Sequence, residues 1–225
     1  SLNLQMYNED ITINANLDIY EDLTKNDSDK YEYVPNFSFS KIINDNYTFD
    51  SSGYYKNYNT NITEKVLINN FKFFSNLNLF DSGIINEKIF SIKNVNSEST
   101  NSTNFKNKST ANIVPTFQTN FTYPLNKETE KYSNLLNPKL SLRLSLPSSK
   151  DVRKKDRTIE YDNIYDIDRL GIAETNEGGI SATYGYEFVK IDKSNFDEKI
   201  KFGFANNLRL EENKDLPTSS NLGDK

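Results

Sequence analysis

The side chains able to do chemistry in this chain are few in kind. It has no cysteine and no histidine, which removes disulfides, Cys/His zinc centres and histidine-based acid–base or triad chemistry. The carboxylates fall in ordinary charge runs, with no pair suited to general acid–base work, so an enzyme is not expected. What remains is Arg143, Lys201, Arg209 and Glu187, spaced at alternate positions of extended segments, and a loop that gathers Asp162, Asp168 and Arg169 with Gly171, Gly178 and Gly179. Arg143, Lys201 and Arg209 fall on the polar parity of their strands, where contact with a polar cargo is one role open to them. The competing role is a salt bridge to Glu187 or a neighbouring carboxylate, common where both signs line one cavity. In the loop, Asp162, Asp168 and Arg169 can pair locally, and the glycines permit backbone angles that other residues resist. Its acidic side chains could also bind calcium, although their spacing is not that of an EF-hand. No cofactor is expected.

The elements that must hold these residues are strands. Leu140, Leu142, Leu144 and Leu146 alternate with Lys139, Ser141, Arg143 and Ser145, a period-two pattern opened by Pro138 and closed by Pro147. Past the loop the alternation resumes, with Ile180, Ala182, Tyr184, Tyr186 and Phe188 on one face and Ser181, Thr183, Gly185 and Glu187 on the other. Upstream, residues 11–19 give about ten residues of strand, a length suited to a tilted membrane strand. Residues 26–29 read as a turn, and residues 31–40 as a strand in which Pro35 predicts an irregular pair. A weaker strand follows over 47–55, a stronger alternation over 65–80 and a short returning strand over 87–93, with a turn at 81–83. Residues 94–110 are nearly all polar and read as a loop or a polar strand extension. Strands over 113–123 and 199–210 complete a set of nine or ten, with 126–133 as a turn. No amphipathic helix appears, and the expected fold is an all-β antiparallel up-and-down meander.

Composition limits the classes. The net charge of −5 disfavours nucleic acid, which calls for a basic stripe. Mean hydropathy is −0.74, and no apolar run approaches the ~18 residues of a membrane helix. A membrane barrel stays open, because only alternate strand residues face lipid. The 14 tyrosines and 15 phenylalanines suit strands and interfacial girdles. The chain starts at Ser1 without a secretory signal pattern, and both ends read as cut, so an internal piece of a longer protein is expected.

The order of Pro138, Pro147, Tyr161-Asp162-Asn163-Ile164-Tyr165, Asp168-Arg169-Leu170-Gly171, Glu177-Gly178-Gly179 and Tyr184-Gly185 resembles the C-terminal barrel domain of the LptD, or organic solvent tolerance, family. The resemblance implies a partial outer-membrane β-barrel, with residues 1–225 as the central portion of the barrel domain. The periplasmic jelly-roll and the remaining strands would lie outside this chain. It further implies lipopolysaccharide transport to the outer leaflet, a hydrated lumen with lateral release, and an LptE-like lipoprotein inside the barrel. Periplasmic Lpt bridge components would be reached through the absent domain. On this reading Arg143, Lys201 and Arg209 are candidates to meet lipid A or core phosphates. The loop over residues 162–179 is expected to fold over or into the lumen as a plug and assembly element, with cargo contact as the alternative. The sequence departs from the family pattern at Gly203-Phe204-Ala205.

A reading from a different class is a secreted soluble β-sandwich or adhesin module that binds carbohydrate through exposed tyrosines. It would bury the Leu140–Leu146 face between two stacked sheets. A membrane barrel would turn that face outward on a single sheet.

Overall fold

A computed structural model of the chain describes residues 1–24, 31–59, 62–79, 82–146 and 150–224. The expected turn at 26–29, Asp81 and Pro147 lie outside the described residues. The strands are β1 (Leu2–Asn8), β2 (Ile11–Glu21), β3 (Tyr31–Asn44), β4 (Tyr47–Asn59), β5 (Ile62–Leu79), β6 (Ile84–Thr100), β7 (Thr110–Thr122), β8 (Leu125–Glu128), β9 (Tyr132–Ser145), β10 (Gly179–Asp192) and β11 (Glu198–Arg209). They form one antiparallel sheet in the order β1 to β7, then β9, β10 and β11, with β8 also paired to β9. This is the up-and-down meander the alternation predicts. Its first and last strands are β1 and β11, and among the described residues the sheet is not closed on itself.

Several strands run longer than their apolar alternation suggests, because backbone pairing continues where side chains turn polar. The polar tract at 94–110 divides accordingly: β6 carries it as strand to Thr100, and only residues 101–109 form a loop. Pro138 does not open its strand, since β9 begins at Tyr132. It is tolerated there because its missing donor faces a break. β7 and β8 pair with β9 in one continuous register, Thr122 opposite Lys139 and Leu125 opposite Leu136. Pro124 falls between them, so a second residue lacking an amide hydrogen interrupts the neighbouring strand at the same level. Tyr123 N bridges the break by donating to Pro138 O at 3.1 Å. The expected turn at 126–133 is present but tighter, with residues 129–131 turning the chain between β8 and β9 and Thr129 N donating to Tyr132 O at 2.8 Å. Pro35 behaves as anticipated: the β3–β4 ladder holds at Tyr33–Asn57, resumes at Asn36–Tyr54 and is interrupted in between.

The chain divides into two compact units, Ser1–Phe73 with Ser91–Pro115, and Phe74–Phe90 with Thr116–Lys225. In the first, β2 and β3 carry a cross-strand amide ladder: Asn16 donates to Asn36 at 3.0 Å, and Asn36 to Asp18 at 3.2 Å. On β5 and β6 the covered parity is mostly polar, with Glu64, Asn70, Ser91, Lys93, Ser97 and Ser99 buried, but it holds one apolar patch. Val66, Ile68 and Val95 pack there with Tyr54, and Phe105 descends on them from the 101–109 loop. The same loop satisfies buried Glu64, which accepts hydrogen bonds from Ser102 and from Asn104. A segment nearly devoid of apolar residues is therefore anchored by one phenylalanine and one carboxylate.

Phe105→Ala removes the apolar half of that anchor. Because the ring is half-buried, the expected loss is about 1–2 kcal/mol, read as faster hydrogen exchange in residues 101–109. Protection unchanged from wild type would show that the Glu64 bonds hold the loop alone.

Candidate functional site

In the second unit the period-two alternation sorts side chains onto two faces of opposite character. On β9, Leu140, Leu142 and Leu144 are exposed, whereas Ser141, Arg143 and Ser145 are buried. The leucine face is open and the polar face is covered. Register then assembles the polar side chains into a row, with Gln118 of β7 opposite Arg143 of β9, Arg143 opposite Ser181 of β10, and Ser181 opposite Arg209 of β11.

Two segments outside the strands, residues 150–178 and 211–224, cover this row. They are tied to each other by backbone hydrogen bonds, Val152 N to Asp215 O at 2.8 Å among them. They also share a small apolar core of Leu170, Leu216 and Leu222 with Ile159 against it. Gly171 and Gly179 have φ of 61° and 101°, the left-handed region that a side chain disfavours. At Gly179 a Cβ would also lie 2.7 Å from Arg209 Nη2. Gly178, expected to serve the same conformational need, instead offers its carbonyl to Arg209 Nη2.

At the centre is Glu177, 2 % exposed. Arg169 grips it with Nε to Oε2 at 2.5 Å and Nη2 to Oε1 at 2.6 Å. Arg209 Nη1 donates to Oε1 at 2.6 Å, and Arg143 Nε lies 3.9 Å from Oε2. The remaining guanidinium hydrogens are largely placed. Arg169 donates to Ser181 and Thr183 at 2.9 Å each and to Ile164 O at 3.2 Å. Arg143 donates to Ile167 O at 2.5 Å and to Gln118 at 3.2 Å. Burial alone would push the Glu177 carboxyl up. The Arg169 hydrogen bonds, with the charges of Arg169, Arg143 and Arg209, outweigh that and hold it below the ordinary carboxylate range.

A second contact region lies farther along the same face. Tyr161 and Tyr165 meet edge to face at 5.7 Å, and the Lys139 ammonium sits 5.3 and 5.4 Å from their ring centres. Small residues in the sheet make room for them. A Cβ on Gly203 would fall 2.5 Å from Tyr161 Cγ, and one on Gly185 2.7 Å from Tyr165 Oη. The Gly203-Phe204-Ala205 step thus has a local role, to seat Tyr161. Glu87, Asn120, Asp166 and Glu187 help line a polar cavity of about 260 Å³ here. Burial pushes the Tyr165 phenol up to about 12 and raises Tyr161 as well.

The sequence candidates therefore separate. Arg143, Arg169 and Arg209 converge, and the carboxylate they meet is Glu177, not Asp162, which is exposed. The local pairing expected of Arg169 reaches eight residues down the chain. Lys201 and Glu187 stand apart from the cluster and pair with each other at 3.4 Å. Glu177 was visible only as part of the Glu-Gly-Gly motif. The signal that could have singled it out is that Arg143 and Arg209 share a parity on which the neighbouring strand positions are Ser, Thr and Asn. Among the described residues no group of three or more acidic side chains is arranged to hold a metal ion.

Arg169→Ala deletes the bidentate grip and leaves Glu177 short of charge in a buried place. A loss of about 3–5 kcal/mol is expected, seen as a lower urea midpoint and as lost hydrogen-exchange protection over 164–178. An unchanged midpoint would remove this cluster as the lock. Acid should release the same segment. The folded Glu177 carboxyl lies below its unfolded value, so its contribution is full above about pH 4.3 and is lost as pH falls through the lower folded value. Exchange rates corrected for intrinsic pH dependence should rise over 164–178 only in that acid range, and Glu177→Gln should abolish the transition. The chain matches no protein-family model and no curated protein.

Proposed function

We propose that this chain is a central portion of an outer-membrane barrel of the LptD type, which inserts lipopolysaccharide into the outer leaflet. The observation that carries the reading is the polarity of the sheet in the second unit. Its open face presents Phe117, Leu142, Leu144, Ile180 and Leu208, exposed by 41 to 53 %, while its polar face is covered. A protein surface in water rarely leaves so continuous an apolar band uncovered. A lipid-facing barrel wall has this distribution, apolar outward and polar inward along each strand.

The soluble sandwich would need a second sheet against the leucine face, and the described strands belong to one sheet. Among the described residues no helix is long and apolar enough to cross a membrane. The resemblance of the motif order from Pro138 to Gly185 is what points the reading to this family. In this role the polar face lines a hydrated interior suited to the charged sugar of a glycolipid, and no covalent chemistry is needed. Residues 150–178 act as the plug over that interior, and the partners are lipopolysaccharide, an LptE-like lipoprotein and the periplasmic bridge.

Depletion of the full-length parent protein in its host, followed by surface labelling of lipopolysaccharide, tests this. Surface label should fall while lipopolysaccharide accumulates in inner compartments. Normal surface label after depletion would end the transport reading.

A further inference from the structure

The Glu177 cluster holds three guanidiniums against one carboxylate, and its charges belong to two bodies. Arg169 and Glu177 lie in the same covering segment and hold each other at 2.5 and 2.6 Å. Arg143 and Arg209 belong to the sheet, in register on either side of Ser181. When the segment lifts, Glu177 leaves with Arg169, and the sheet keeps two cations without their counter-charge. Around them on the covered face stand Gln118, Ser141, Ser145, Thr183 and Asn207, none of which is negative. Even with Glu177 in place, the buried Nε of Arg143 has no hydrogen-bond acceptor, and it faces Oε2 at 3.9 Å. Backbone carbonyls of the covering segments, Ile167, Gly178, Glu211 and Leu222 among them, take most of the donors that Glu177 leaves, so what the sheet holds in excess at this point is positive charge and the one unmet Arg143 Nε.

We propose that Arg143 and Arg209, with the Ser181 hydroxyl between them, form a phosphate-binding site that Glu177 fills as a built-in competitor. A phosphate monoester brings up to two negative charges and three strong acceptor oxygens, against one charge and two oxygens for Glu177. It can meet both guanidiniums and the unused Arg143 Nε together. Its arrival removes the electrostatic reason for the segment to stay down, so binding and uncovering are one exchange. The site is argued from the cluster itself; the identification of its natural ligand as a phosphorylated glycolipid rests on the transport reading above.

Calorimetry on the detergent-solubilised chain, with inorganic pyrophosphate and separately with micelles of a diphosphorylated glycolipid, tests the exchange. Glu177→Gln should bind at least tenfold more tightly than wild type, and replacing Arg143 and Arg209 by Gln in that background should abolish binding. Affinity for both probes marks a site open to free phosphate, whereas affinity for the micelles alone marks a headgroup site. Should Glu177→Gln fail to fold, wild type answers in its place: pyrophosphate should raise hydrogen exchange over 164–178, and sodium chloride of equal ionic strength should not. Absence of binding to folded Glu177→Gln in both arms overturns the proposal, as does binding that survives loss of both arginines or, in wild type, equal responses to the two salts. None of these results depends on surface labelling after depletion, so the site and the transport reading fail separately.

Discussion

A carboxylate taken out of water without a partner costs several kcal/mol, and so does each unpaired guanidinium. Glu177, Arg143, Arg169 and Arg209 are all buried, so each is tenable only while the others stay in place. This mutual requirement fixes the rest of the second unit. It sets which parity of β9, β10 and β11 is covered, because Arg143 and Arg209 must reach Glu177. It sets the path of residues 150–178, because Arg169 and Glu177 must arrive together from either side of Gly171. It also accounts for the Ser and Thr positions beside the arginines, whose hydroxyls take up hydrogens that Glu177 cannot. A hydrophobic residue at Ser181 or Thr183 would leave Arg169 donors buried and unmet.

The two units use the same sheet differently. In the first, the covered parity of β5 and β6 holds one apolar patch at Val66, Ile68 and Val95, and Phe105 closes it. In the second, the covered parity beside the arginines stays polar and an apolar core lies in the covering layer, where Leu170, Leu216 and Leu222 meet. The first loop is held down by one packed ring together with two hydrogen bonds to Glu64, the other mainly by charge and hydrogen bonds. Packing weakens little with acid, whereas the charge lock depends on the ionised form of Glu177.

Strand identity was legible because period-two alternation survives even in a chain this polar, and the order of elements followed from short polar breaks. Strand ends were not. β6 continues through Asn94, Asn96 and Ser97, and β9 begins at Tyr132, in stretches where no apolar parity marks a strand and backbone pairing alone decides. Pro138 looked like a boundary because it lacks a donor, yet register places it beside the Pro124 break, a relation that exists only after pairing. At the site, the arginines could be read as a set because they share a parity. Their partner could not, since Glu177 belongs to a loop whose path is set by tertiary contacts, and local spacing favoured Asp162 or Asp168.

Charge as the lock has a consequence for how the covering layer can come away. The apolar core of Leu170, Leu216, Leu222 and Ile159 lies within that layer, and the layer meets the sheet mainly through guanidiniums, hydroxyls, backbone carbonyls and the two tyrosines on Gly203 and Gly185. Separation therefore exposes little new apolar surface on the sheet side, where Ser, Thr, Asn and Gln can be met by water. The layer has its own core and its own internal hydrogen bonds, which separation from the sheet does not require it to give up. The chief obstacle is the unpaired charge left on Arg143 and Arg209, and an obstacle of that kind can be removed by one anion, whereas a packed leucine interface would have to be melted along its whole length. On the proposed exchange, a polar face held by a few ionic contacts is what lets the covering layer come away without unfolding the sheet.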